Sequence, residues 1–300
     1  MNTLHITSGD SAGEILVRSG IPGEVFVWHD ILYDGPRVAG WPSDETLVAR
    51  SLFLEKVTGG GLERHYILET LQLQYDKIGE AGKYDHIILW FDACLFDQSM
   101  LAHILTCLRA RNLYQVQLIC VDSFPGITPF HGLGQLQPDQ LASLYGDRRQ
   151  VTELQFQCAI TADKAFATQD GMGLKELSHS ADLPLPWIAA AATRLLEEQP
   201  DPETGLGRLE TLALKAIIGG CDKPGDIFLS VAAADTPPQY WGDITLWGII
   251  NGLAEGKRPL VRINGPGKRL PQWESDIPLQ DFTVKPLVNR PTRGDVENRK

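Results

Sequence analysis

The residues best suited to chemistry are acids standing at the ends of apolar runs. Residues 4–7 lead into Ser8-Gly9-Asp10-Ser11, and residues 25–27 into Trp28-His29-Asp30. Residues 87–89 lead into Trp90-Phe91-Asp92, and Val116–Val121 into Asp122-Ser123. Several carboxylates converging without Lys or Arg suit a divalent cation such as Mg²⁺, which takes oxygen ligands and often shares them with substrate phosphates. Two acids in unlike surroundings would instead divide the acid and base roles. Asp10, Asp30, Asp92 and Asp97 are the candidate catalytic acids, and Asp10 and Asp30 are also the candidate Mg²⁺ ligands. His131, in a Gly-rich loop, is the histidine best placed for proton transfer.

A second chemistry is anion binding. In Ser8-Gly9-Asp10-Ser11-Ala12-Gly13 a strand, a glycine turn and a helix start follow one another, so free N–H groups and the helix dipole would face a ligand. Phosphate is the usual occupant, although the segment is neither a GxGxxG nor a P-loop. The alternative is that Asp10 or Ser11 simply caps the helix. Asp30 could bind a metal, act as a base or hold a ribose hydroxyl, or it could stabilise a turn. Asp97 could equally cap a helix, while Gln98 on the first turn would reach into the crevice. Ser8, Gly9, Ser11, Trp28 and Gln98 complete the candidate ligand-binding set. Arg50, Arg148 and Arg149 could clamp an anion bidentately or form surface ion pairs.

These residues converge only if the apolar runs are parallel strands, whose carboxyl ends line one edge of an open α/β sheet. Helical signals lie between the runs. Ser11-Ala12-Gly13-Glu14 fits a capping box, and Gly20 with Pro22 would end that helix. Residues 43–57 and 62–78 read as helices in an insertion. Another helix begins at Asp97-Gln98 and carries Leu101, Ile104, Leu105 and Leu108 on one face. Residues 124–137 are rich in Gly and Pro and read as a loop at the site edge, where function often lies. Residues 139–145 and 151–167 read as helices.

The fold expected is α/β: a Rossmann-like parallel sheet over residues 1–150, a helical connector over 151–200, a small winged-helix-like domain over 201–287, and a disordered tail over 288–300. The winged-helix expectation rests on the order of helices 209–218, 224–233 and 243–253, followed by two short strands around 260–263 and 282–284. The third helix is flanked by Trp241 and Trp247 and contains no Lys or Arg, unlike a helix that reads DNA. The basic residues Lys257, Arg258, Arg262, Lys268 and Arg269 fall in the wing region. Protein contact suits this helix better than nucleic acid.

The net charge is -11 and the pI about 5.1, which disfavours general polyanion binding. The five cysteines form no CxxC pair and read as buried, reduced thiols. No secretory leader and no membrane-length apolar run is evident, so a cytoplasmic protein is expected.

Several phrases taken together carry a resemblance: His5-Ile6-Thr7-Ser8-Gly9-Asp10-Ser11, Trp28-His29-Asp30 with Gly35-Pro36, Leu89-Trp90-Phe91-Asp92 with Phe96-Asp97-Gln98, Phe130-His131-Gly132-Leu133-Gly134-Gln135-Leu136 and Arg148-Arg149-Gln150-Val151-Thr152. Over roughly residues 3 to 125 the chain resembles the bacterial family catalogued as domain of unknown function 1835, and the downstream part resembles the carboxyl-terminal region found with it. The resemblance implies domain layout and site location, and no activity. The function expected is binding or processing of a nucleotide or other phosphorylated small molecule at the sheet's carboxyl edge, with Mg²⁺ as a candidate cofactor. The alternative is a non-catalytic regulatory or nucleic-acid-associated protein acting through the winged-helix-like domain. A purely protein-binding role, and assembly into a homo-oligomer, are further expectations.

Overall fold

The computed structural model describes residues 2–273 and 276–287, which form two units. Of these, residues 2–54 and Arg64–Leu195 form the first unit, and Glu55–Glu63 with residues 196–273 and 276–287 form the second.

In the first unit the apolar runs become β1 (Thr3–Ser8), β2 (Glu24–Trp28), β3 (His86–Asp92) and β4 (Val116–Val121). They pair in parallel in the order β2-β1-β3-β4. Parallel strands covered on both faces read as continuous apolar sequence, and the central strand β3 shows it: Ile88, Leu89, Trp90 and Phe91 are all within 1% of full burial. A two-residue β5 (Arg149–Gln150) adds an antiparallel edge beside β4.

The helices wholly or mostly in this unit are α1 (Asp10–Arg18), α2 (Asp44–Val57), α3 (Arg64–Gly79), α4 (Leu95–Ala110), α5 (Pro138–Ser143), α6 (Glu153–Thr168), α7 (Gly171–His179) and α8 (Ile188–Glu197). From β1 the chain steps outward to β2; from β3 it steps the other way to β4. Right-handed crossovers therefore place α1 and α4 on opposite faces. Ala12 and Leu16 of α1 pack on Ile88, Trp90, Ile119 and Leu141. Ile87, Leu89 and Phe91 point to the other face, and α3 and α6 pack against α4.

Two buried polar networks fix this unit. His5 is buried on β1, where its Nδ1 accepts from Trp90 Nε1 (3.1 Å) and its Nε2 donates to Pro22 O (3.2 Å). Both nitrogens are used by a neutral ring, and burial lowers its pKa. Asp163 of α6 accepts from Arg37 NH1 (2.6 Å) and from the Gly40 amide (2.7 Å), and lies 3.2 Å from His103 Nδ1. Tyr75 closes the chain at His103 Nε2, 2.7 Å away.

The second unit contains α9 (Arg208–Ile218), α10 (Pro224–Ala234), α11 (Asp243–Leu253) and an antiparallel pair, β6 (Val261–Asn264) with β7 (Thr283–Pro286). Trp241 precedes α11 and Trp247 lies within it rather than at its flank; both are core residues, at 4% and 5% exposure. They pack against Phe228, and Trp241 Nε1 donates to Asp235. Asn251 of α11 ties down the connection after β6, donating to Leu270 O (2.9 Å) and accepting from Leu270 N (2.7 Å).

Two stretches group differently from expectation. Helix α6 buries Phe156, Ala159, Ala162 and Phe166 along one face and packs on α4, so residues 151–195 belong with the sheet rather than to a separate connector. Residues 55–63 belong to the second unit. The tail 288–300 lies outside the described residues. Among the described residues, no helix is long and apolar enough to cross a membrane.

Candidate functional site

The strand order reverses between β1 and β3, and in open parallel sheets the crevice at the carboxyl end of such a reversal is where ligands bind. Ser8, Asp92, Asp97 and Gln98 meet there. Ser8 Oγ donates to Asp97 Oδ1, and the Asp92 amide donates to Asp97 Oδ2 (2.7 Å). Gln98 Nε2 donates to Asp92 O (2.6 Å) and reaches Cys120 Sγ (3.3 Å). The strand-to-helix turn explains the convergence. Helix α4 starts at Leu95 with Cys94 as its N-cap, and Cys94 Sγ accepts from the Asp97 amide at 3.4 Å. Asp97 is thus the third helical residue, from which a carboxylate reaches back over the helix start. Asp92 in turn accepts from the Cys94 amide at 2.9 Å.

This cluster is sealed. Asp92 is 9% exposed, Asp97 2% and Gln98 0%. The loop after β4 folds over it: the Leu133 backbone N–H lies on the Asp92 side and favours its charged form, and Gly132 sits at φ 124°, where a Cβ would lie 2.2 Å from Asp92 Oδ2. Only glycine adopts that backbone at no steric cost. Burial raises the pKa of Asp92, and burial together with the Asp92 charge raises that of Asp97 well above the ordinary carboxyl value. Such a pair titrates as one unit. Burial, then the two carboxylates, also push the Cys94 thiol upward.

The solvent side of the crevice is the start of α1. Its N-cap is Gly9 at φ 69°, with no side-chain cap. The expected Ser11–Glu14 capping box does not form, because Asp10 already belongs to the helix and Ser11 lies one residue inside it. The first intrahelical bond is Gly13 N to Gly9 O (3.2 Å). The amides of Asp10, Ser11 and Ala12 precede it, as the unpaired donors of any helix start do. Asp10 and Ser11 are exposed. His29 Nε2 lies 2.8 Å from Asp10 Oδ1, with side chains 45% and 78% exposed. His131 is exposed on the covering loop, and Asp122 is exposed beside Ser123 at the end of β4.

Four expected site residues are placed otherwise. Asp30 is 5% exposed, and both its carboxylate oxygens accept from Arg50 Nε (2.8 and 2.9 Å). Arg50 also donates to the carbonyls of Ile31, Asp34 and Pro36. Each is the other's partner, so Asp30 is not open to a metal with Asp10, and Arg50 is not open to a ligand. Burial opposes the Arg50 charge, and Asp30 outweighs it. Trp28 is fully buried, edge-on to Tyr75 at 5.3 Å, and is a core residue. Arg148 stacks on Tyr145 and donates to Gln117, the second residue of β4, which puts it at the sheet's amino-terminal edge, away from the site.

Cys94 and Cys120 were not among the expected site residues. The spacing Asp92-x-Cys94-x-x-Asp97 around a strand end was the available signal. No protein-family model matches the chain, and no curated protein matches it.

Proposed function

We propose that this chain binds a phosphorylated small molecule, a nucleotide among them, on the amides that begin α1, at the reversal point of a Rossmann-like sheet. The uncapped helix start at Gly9 carries this reading: three backbone donors and the positive end of a nine-residue helix face the crevice without a side chain to satisfy them. Ser11 adds a hydroxyl. His29 Nε2, 2.8 Å from Asp10 Oδ1, engages the carboxylate that would otherwise face a phosphate. Gly134 leaves room beside the donors; a Cβ there would come within 3.1 Å of Ser11 Cβ and 3.6 Å of Ala12 N. The resemblance to domain of unknown function 1835 is consistent with a site here and supplies no activity. The second unit's order of three helices and a hairpin supports a winged-helix-like module. Helix α11, without Lys or Arg and with Asp243 in its first turn, fits packing rather than nucleic acid.

Calorimetric titration of the full chain with inorganic phosphate, pyrophosphate, AMP and ADP, with and without Mg²⁺, tests the reading. Binding of at least one of them, abolished by Ser11→Glu, is expected. A chain that binds none, or that binds equally well after Ser11→Glu, overturns it.

A further inference from the structure

The sealed cluster behind the α1 site has its own unmet requirement. Asp92, Cys94 and Asp97 offer two carboxylate oxygens and a sulfur, all within 4.8 Å of one another and all buried. Among the described residues, no Lys, Arg or His forms an ion pair with either carboxylate. Buried negative charge without a compensating partner is costly. A separate observation points the same way. The Gln98 side chain is completely buried, and its Oε1 has no hydrogen-bond donor. Its amide nitrogen is fixed on Asp92 O, which holds that unpartnered oxygen at the Asp92 end of β3.

We propose that Asp92, Cys94 and Asp97 hold a single divalent ion of the zinc class, with the Gln98 amide oxygen available as a fourth donor. Zn²⁺ binds sulfur at about 2.3 Å and carboxylate oxygen at about 2.0–2.2 Å. Neighbouring ligand atoms around a tetrahedral centre of that size are roughly 3.5 Å apart, inside the 4.8 Å that bounds the three donors here. The sulfur selects against Mg²⁺, which takes oxygen ligands. Binding releases the Cys94 thiol proton and any proton held by the carboxyl pair. The ion would tie the end of β3 to the first turn of α4 and, through Asp92, to the loop at Leu133. This site is distinct from the α1 amides and stands whether or not a phosphate binds there.

Co²⁺ is the probe, because thiolate ligation gives it a charge-transfer band in the near ultraviolet. The metal-stripped full chain should take up one Co²⁺ with that band, Zn²⁺ should displace it, and Mg²⁺ should not. Cys94→Ser should abolish the band, while Cys158→Ser and Cys221→Ser keep it. Should Cys94→Ser fail to fold, the isosteric Asp97→Asn must weaken Co²⁺ binding at least about tenfold, taking the lower end of what even a ligand-supporting residue contributes. No stoichiometric Co²⁺ uptake, a band that survives Cys94→Ser, or undiminished affinity in Asp97→Asn overturns the proposal. In the first case a proton shared by the two carboxyls, rather than a metal, offsets their charge.

Discussion

Replacing Asp30 with Asn tests whether this strand-end acid builds the framework or serves a ligand. Arg50 is 2% exposed, and its Nε and NH2 both lie within 2.9 Å of the Asp30 carboxylate. Asp30→Asn keeps the shape and one acceptor oxygen but removes the charge, leaving a buried guanidinium with only backbone carbonyls around it. Removing one partner of a buried ion pair costs about 3–5 kcal/mol, because the other charge is left uncompensated. At an m-value of about 2 kcal/mol per molar urea, the midpoint falls by about 2 M. Urea unfolding followed by circular dichroism reads this directly. Arg50→Met should be similarly damaging, and the double variant should lose much less than the two singles combined, since neither charge is then orphaned. A loss below about 1 kcal/mol, which is the scale of an exposed pair, would refute the reasoning. So would native stability accompanied by lost phosphate binding, which would return Asp30 to the ligand.

Two further outcomes follow from the buried network and the covering loop. Burial opposes the Asp163 charge, but His103 and Arg37 outweigh it and lower its pKa from 3.8 to about 2. A depressed carboxyl stabilises the fold above its unfolded pKa, so about 2 kcal/mol should be fully present above pH 4 and lost as pH falls toward 2. Acid unfolding of native chain against Asp163→Asn measures it, and an acid limb unchanged by the substitution contradicts the assignment. Gly132→Ala should destabilise by about 2 kcal/mol, combining a strained backbone with a methyl that displaces Asp92; an unchanged thermal midpoint would show that the loop does not rest on that carboxylate.

Much of the sheet was legible because parallel strands are apolar throughout and end abruptly in polar residues. The runs before Asp10, Asp30, Asp92 and Asp122 are the four parallel strands, within a few residues at each end. At the α1 start Ser11 and Glu14 mimic a capping box, but the N-cap is Gly9, two residues earlier and at positive φ. Helix α4 starts two residues before Asp97, because its N-cap is Cys94, a residue rarely found as a cap, while Asp97 resembles one. Helix α7, with Gly171 and Gly173 in its first turn, has weak helical propensity. Strand β5 is two residues long and has no period to detect. The partner of Asp30 could not be read at all, since Arg50 comes from the middle of α2, in the insertion. Nothing local marks an arginine as buried.

Partners, not positions, therefore sort the acids at this edge. Asp30 is tied to Arg50, and Asp97 to Ser8 and the Asp92 amide. Asp92 is tied to the Cys94 amide and lies against Gly132. Asp10, beside His29, and Asp122 keep exposed carboxylates. Asp10, Ser11 and His29 are open to solvent, whereas Asp92 is 9% exposed beneath the Gly132 loop. A single site using all four strand-end acids is then inconsistent with the packing. The proposed anion site on the α1 amides and the proposed cation site on Asp92, Cys94 and Asp97 would satisfy the same groups separately. Ser8 is the residue whose backbone leads to one and whose hydroxyl serves the other.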